Sequence, residues 1–563
     1  MPRAVVVGMS RNRALVGASS IMATGTIVSR VTGIARDIAL AAALGFYLVS
    51  DAYSLGNSLP TIVYILVVGG ALNAVFIPQL VRRIEADADD GKAYADRLIT
   101  ATATILLALA ILSVVAAPWI VDLYTPADYP QEQYDLAVAF ARLCLPQIFF
   151  YGLYSMLSQV LNSRGKFGAP MFAPIANNVV AIATFLIFIW VAGTSAAADG
   201  ALTTDQILLL GIGTTLGVVV QALILIPVLS RAGYRWHPRF DWKDQGLGKA
   251  GKLAGWTIGL VLVNQLTYLV ITRLAAQANV DAAATGATAA GITTYQKAHL
   301  VFMLPHSVIT ISIVTALLPA ISRLAHDGKL KEVGEDVAGA MRFVAALIVP
   351  VAAVLFVVGS DVAVLLFGYG AATVDQAQVM GNIVSVFMIG LLPFTLFYVL
   401  LRGFYSLEDT RTPFFVTVAF STVMLALVLW LFTALTNFDV GAAGGPQVAA
   451  LAFGYVLAYW FGFVLLWWLL ARRLGSLESR RTAWVLARIA FAGVLAVVIM
   501  VLVRSAATGL LPLADVVAQL RALGIIVVCG ASGLVSFFVF AWILRVHEVT
   551  GALAMVRSKL VRQ

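Results

Sequence analysis

Between Val16 and Leu44 the chain reads VGASSIMATGTIVSRVTGIARDIALAAAL, and its only charges there are Arg30, Arg36 and Asp37. As a helix this stretch spans about 43 Å, more than the roughly 30 Å hydrocarbon core of a bilayer. The charges then fall in the middle and outer half of a membrane span. An arginine at mid-membrane costs about 3 kcal/mol by insertion scales. Such a cost is usually tolerated because the charge faces a wet cavity and does a job there. Arg30 and Arg36 stand about 120° apart on a straight helix. They reach one cavity only if it is wide or the helix bends, and Gly25 and Gly33 offer the bend. The competing arrangement is a short loop at 30–37 between two half-helices. Each half would hold only about 12–14 apolar residues, which is short for a span.

Further polar residues sit inside other apolar runs. The second run begins with Asp51 and contains Asn57, Tyr64, Gly69, Gly70 and Asn73. A run near 250–276 carries Asn264, Gln265 and Arg273, and the next carries Lys297 and His299. In this set Arg30, Arg36, Arg273 and Lys297 outnumber Asp37 and Asp51. Arginine presents a planar fork that matches phosphate bidentately. An anionic, phosphorylated substrate is therefore expected. The bland alternative is that the acids neutralise the cations, or that the cations snorkel to the interface. For Arg273, near a span end, snorkelling competes evenly with function. For Arg142 and Arg342, within a turn or two of span ends, snorkelling is the expectation. A lone His299 on an apolar face reads as a hydrogen-bonded core residue, and Lys297 two positions earlier brings function level with that reading.

The elements that must position these residues are membrane helices. Of 563 residues, 61% are hydrophobic and 12% charged, where soluble domains carry about 25% charged residues. The apolar runs are continuous, not alternating, which excludes an outer-membrane barrel. The expected fold is an all-α polytopic membrane protein of fourteen spans, roughly 15–44, 52–81, 97–121, 135–161, 169–193, 205–230, 250–276, 287–321, 336–359, 378–401, 413–436, 446–471, 483–505 and 518–544. The segment 362–370 is too short to cross and is expected at an interface. Arg3, Arg11 and Arg13 precede an apolar run as in a signal peptide, but that run is long and internally charged, so it reads as an uncleaved first span. Cys144 and Cys529 both lie in apolar runs, and no histidine pair has ligand spacing. Neither a disulfide framework nor a metal or other cofactor is expected.

Net charge +9 raises the question of nucleic acid. Topology answers it. Taking the N-terminus, every second loop and the C-terminus as one side collects 28 of the 37 Lys and Arg residues. The other nine are Arg30, Arg36, Arg142, Arg273, Lys297, Arg342, Arg488, Arg504 and Arg521, all within or at the ends of apolar segments. The opposite loops hold acids such as Asp122, Asp128, Glu132 and Asp199. By the positive-inside rule both termini face the cytoplasm, and no nucleic-acid partner is needed.

The chain also repeats itself. FIPQLVRR (76–83) at the end of span 2 answers LLPAISRL (317–324) at the end of span 8, with Pro78 and Pro319 separated by 241 positions. SRGKFGAPMF (163–172) answers SLEDTRTPFF (406–415), with Pro170 and Pro413 separated by 243. The unit is six spans, an even number that preserves orientation, so the halves are parallel repeats enclosing a central cavity. This divides the chain into an N-lobe (1–240, spans 1–6), a C-lobe (241–475, spans 7–12) and two appended spans (476–563). No P-loop, paired catalytic carboxylates or large extramembrane domain is present in the sequence, so the expectation is a transporter and not an enzyme.

SRVTGIARDIALAAALG (29–45), SDAY (50–53), LP (59–60), AVFIPQL (74–80), LNSRGKFGAPMFAPIANN (161–178), ALLPAISR (316–323) and GFYSLEDTRTP (403–413) together make the whole chain resemble the MurJ (MviN) family of lipid II flippases. That family lies within the multidrug/oligosaccharidyl-lipid/polysaccharide exporter superfamily. The resemblance implies export of lipid II, an undecaprenyl-pyrophosphate-linked disaccharide-pentapeptide, across the bacterial cytoplasmic membrane for peptidoglycan synthesis. It implies a pyrophosphate in the cationic cavity, a lipid tail in a groove of spans 13 and 14, membrane lipids as neighbours and cell-wall synthases as further partners. Arg30, Arg36 and Asp37 match the family's first-span charges. Elsewhere the chain departs: Tyr64 and Ile65 stand near a common span-2 arginine, Gly69 at a common glutamate, and Leu300 near a common span-8 arginine. The pyrophosphate site is then thinner, or rebuilt from Arg273, Lys297 and His299. The alternatives are a flippase for another polyprenyl-pyrophosphate glycan, a cation-coupled exporter of the same superfamily, and a membrane scaffold for wall synthesis. A cation exporter should present acids, whereas this set is net basic.

Overall fold

The computed structural model describes residues 3–69, 92–241, 247–437, 444–510 and 517–549. Asn73, Pro78 and Arg82 lie outside them. The described residues form helices and connecting turns, in two units, Met1–Gln265 and Leu266–Gln563. Eleven helices are long and apolar enough to cross a membrane, and the bent pair Val374–Ile389 and Leu391–Ser406 makes a twelfth. The expected spans 1 and 2 correspond to the helices Arg3–Leu44 and Leu48–Tyr64, the latter running on toward undescribed residues. The protein is thus a multi-pass membrane protein, and fourteen spans are consistent with it.

In the first unit Arg3–Leu44 packs on Gly168–Ala192, which packs on Thr204–Leu223. Leu48–Tyr64 packs on Gln131–Cys144, and Lys92–Val115 on Gln147–Ser163. The start of Lys92–Val115 also holds the polar loop that follows Arg231. Buried Asp96 accepts from the Tyr234 hydroxyl at 2.6 Å and the His237 amide at 3.2 Å. Thr100 Oγ1 accepts from Trp236 Nε1 and the Arg239 amide.

In the second unit the 38-residue helix Leu330–Phe367 is the hub. It packs on Val374–Ile389, Leu391–Ser406, Ser479–Leu510 and Ala518–Ile543. The stretch 362–370, expected as a separate interfacial piece, is mostly the last turns of this helix, because Val362–Phe367 continue its buried apolar face. Val357, Val358, Met500, Ile525 and Cys529 join it to the two appended helices. Thr373 and Gln376 form a reciprocal cap at the start of Val374–Ile389, as Thr203 and Gln206 do for Thr204–Leu223. Asp375 and Asp205 in those first turns complement the helix dipole.

The repeat is visible in the backbone. The π turn Ile65–Gly69 in span 2 and the π turn His306–Thr310 in span 8 start 241 positions apart. The broken pair Gln131–Cys144 and Gln147–Ser163 begins and ends 243 positions before the broken pair Val374–Ile389 and Leu391–Ser406. These are the same two offsets that the proline matches carry.

Candidate functional site

Span 1 is one unbroken helix from Arg3 to Leu44, so the alternative of a loop at 30–37 is excluded. Gly25 and Gly33 face its neighbour. A Cβ on Gly25 would lie 3.0 Å from Met171 Cβ, and one on Gly33 3.7 Å from Asn178 Nδ2. Absence of a side chain at Gly25 lets the Gly168–Ala192 helix approach closely, whereas a Cβ at Gly33 would make only an ordinary contact. Asn178 uses that approach. Its Nδ2 donates to the Ser29 carbonyl at 3.1 Å and to Thr32 Oγ1 at 3.0 Å. Its Oδ1 accepts from Arg36 Nη1 at 3.3 Å. Arg36 Nη2 lies 3.5 Å from Asp37 Oδ1.

The result is a polar cluster within apolar helices. Asp37 is buried, whereas the Arg36 side chain is 38% exposed. An arginine carries five N–H donors. Among the described residues two of them are engaged, both by long contacts. Asn178 and Asp37 thus orient the guanidinium without saturating it. What remains is a planar, permanently charged fork able to take an oxyanion such as phosphate.

The other candidates lie elsewhere. Arg30 is exposed on the same helix. Asp51 is fully buried in the first turn of Leu48–Tyr64. Asn57 is half-buried on that helix. Tyr64 ends it, its ring 6.1 Å from Tyr151. Gln265 Nε2 donates to the Ile62 carbonyl at 3.1 Å, just before the π turn. In the second unit Arg273 is half-buried and Lys297 is buried. His299 sits on an aromatic face. Tyr295 stacks parallel at 6.3 Å, Phe302, Phe387 and Tyr455 each approach to 5.6 Å, and Nε2 lies 3.3 Å from the Tyr455 hydroxyl. Tyr295, His299, Phe302 and His306 recur at helical spacing, so they share one face. His306 continues it against Phe394 at 4.6 Å and Tyr398 at 4.9 Å. Arg402 caps the row over the Tyr398 ring at 4.5 Å.

Arg342 corrects the expectation of snorkelling. It is 7% exposed and lies 2.7 Å from Glu478 and 3.4 Å from Glu548, with Nη1 donating to Thr482 Oγ1 at 2.8 Å. Two carboxylates from later segments neutralise Arg342 where it stands, so its side chain does not extend to water. Arg504 does the same service 2.9 Å from Asp361. Asn178, Glu478 and Glu548 were not among the candidate site residues. A mid-span asparagine is a usable signal for the first, but nothing local marks the two glutamates.

The family model for lipid II flippase MurJ matches residues 40–547. The chain belongs to that family. The probable lipid II flippase MurJ of Rhizobium meliloti (strain 1021) is 30% identical over 440 residues, 77% of each chain. That of Vibrio cholerae serotype O1 is 25% identical over 497 residues, covering 86% of this chain and 88% of the relative. Among solved structures, the lipid II flippase MurJ in an inward closed conformation aligns with TM-score 0.69 at 18% identity, covering 93% of this chain and 99% of that one. An inward-facing MATE family multidrug resistance transporter of the MOP superfamily aligns with TM-score 0.62 at 15% identity over 80% of this chain and 96% of the other. At these identities the likeness is one of fold. Within the MurJ family match, Asn178 and Arg342 both fall inside residues 40–547, whereas Arg30, Arg36 and Asp37 precede it.

Proposed function

We propose that this chain is a lipid II flippase, moving the lipid-linked peptidoglycan precursor from the inner to the outer leaflet of the bacterial cytoplasmic membrane. The family match across 40–547 carries this reading. Arg36 supplies its chemistry, as the first-span cation oriented by Asn178 and Asp37 and, among the described residues, with donors left for a pyrophosphate. The six-span repeats alternate access to the substrate, and both termini face the cytoplasm, as the distribution of Lys and Arg supports. Spans 1–6 form the N-lobe and spans 7–12 the C-lobe of this cycle, with spans 13 and 14 guiding the lipid tail.

Depletion of the protein in cells tests the reading. Lipid II should accumulate on the cytoplasmic face, and an unchanged distribution between leaflets would contradict it. The orientation has its own test. Cys144 and Cys529 are buried, so single added cysteines can be read cleanly. A cysteine at Ala198 should react with an impermeant thiol reagent outside the cell, and one at Ser476 should not.

A further inference from the structure

The corner between the helices Gly445–Leu474 and Ser479–Leu510 carries a concentration of charge. A cleft of about 810 Å³ opens there, lined by Arg480, Arg481, Ala483, Trp484 and Ala487. We propose that this cleft binds the phosphate headgroup of an anionic membrane phospholipid, with its acyl chain lying along the Ser479–Leu510 helix.

The electrostatics favour an anion. Arg481 Nη1 donates to Glu478 Oε1 at 3.0 Å, but Glu478 Oε2 is held by Arg342 at 2.7 Å. Arg342 and Arg481 are balanced by Glu478 and Glu548, so the surplus positive charge at the cleft is that of Arg480 and Arg488. The Arg488 guanidinium lies 5.0 Å over the Trp484 ring. On the preceding helix Arg472 lies 3.8 Å over Trp468, and Trp467 Nε1 donates to Ser479 Oγ at 3.2 Å. Exposed tryptophans paired with arginines at the ends of apolar helices mark the headgroup layer of a bilayer.

A lipid fits better than a soluble phosphate because the apolar surface continues from the cleft. Trp484, Phe491 and Val498 recur every seven residues and are 61%, 53% and 50% exposed. That spacing sets them on one stripe of the helix. A free anion has no use for such a stripe, whereas an acyl chain does. The corner is also held in place beforehand, since Arg342 ties Glu478, Thr482 and Glu548 together.

The test uses the full chain in nanodiscs with brominated phosphatidylglycerol or brominated phosphatidylcholine. The Trp484 signal is the difference in quenching between wild type and Trp484→Phe. Phosphatidylglycerol should quench it preferentially. Each juxtamembrane arginine contributes about fivefold to attraction for anionic lipid. Arg480→Ala or Arg481→Ala should therefore lose about fivefold of the preference, and the double variant should approach parity. The double lysine variant keeps the charge and should keep most of the preference, and size-exclusion profiles check that each variant is folded. Equal quenching by the two lipids in the wild type would overturn the proposal, as would an unchanged preference in the double alanine variant. Relief of quenching by millimolar inorganic phosphate would make this a soluble-anion site, and displacement by a polyprenyl pyrophosphate a substrate site. Either result would also overturn it.

Discussion

Arg36 and Arg342 are both arginines inside apolar helices, and the fold treats them in opposite ways. Arg342 has two carboxylates within 3.4 Å and a threonine hydroxyl at 2.8 Å. Its side chain is 8% exposed. Arg36 has one carboxylate at 3.5 Å, one asparagine at 3.3 Å and a side chain 38% exposed. A charge inside an apolar helix is costly to insert in either case, so that cost does not by itself mark a binding residue. The state of its partners does. Arg342 is neutralised by two carboxylates and joins three segments, whereas Arg36 is aimed by one carboxylate and one amide and, among the described residues, keeps donors to spare.

The largest effect that separates the two follows truncation after Arg473. It removes Glu478 and Glu548 from Arg342, Arg504 from Asp361, and Met500, Ile525 and Cys529 from their apolar cluster. A twelve-span remnant should therefore fail to accumulate as folded protein, seen as loss of the monodisperse peak in detergent. Recovery of a folded remnant at wild-type yield would break the assignment of these contacts as structural. Next comes Arg342→Ala. Removing one partner of a buried ion cluster costs about 3–5 kcal/mol. The variant should melt several degrees lower while keeping wild-type export per molecule.

Asn178→Ala should have a smaller effect of the other kind. It removes three contacts that fix Arg36 and span 1, each contributing about 1 kcal/mol. Export per molecule should fall severalfold, with Arg36 still present but no longer aimed. The smallest effect concerns Glu478. Arg342, and then Arg481, hold its carboxyl below the ordinary value of 4.5, against a partial opposing effect of burial. A depressed folded pKa gives stability that is present above 4.5 and lost as pH falls through the folded value. The melting difference between wild type and Glu478→Gln, about 1 kcal/mol or less for a partly exposed pair, should therefore vanish on acidification well below 4.5. A difference that grows on acidification would contradict the pairing.

The spans, their repeat and the first-span charges were legible in the sequence, because hydropathy and Lys/Arg placement are local properties. The offsets of 241 and 243 came from two prolines each, and the same offsets locate the paired π turns and the paired broken spans. The π turns themselves were not legible, since Ile65–Gly69 and His306–Thr310 share only one residue type at matching positions, Val67 with Val308. The partners of the charges were hidden for a related reason. Glu478 reads as one acid in a basic loop, and only the packing of Ser479–Leu510 on Leu330–Phe367 brings it to Arg342. His299 likewise gave no sign that its ring would stack among Tyr295, Phe387 and Tyr455.

The most direct measurement is lipid II export, normalised to protein in the membrane, for Arg36→Ala beside Arg36→Lys. Loss of one partner of a desolvated charge pair lowers affinity about thirtyfold or more. Lysine keeps the charge but loses the fork. Arg36→Ala should be inactive per molecule and Arg36→Lys impaired, both at wild-type protein levels, because removing a buried charge eases insertion. Wild-type export per molecule from Arg36→Ala, with reduced protein in the membrane, would contradict the assignment of Arg36 as a pyrophosphate ligand.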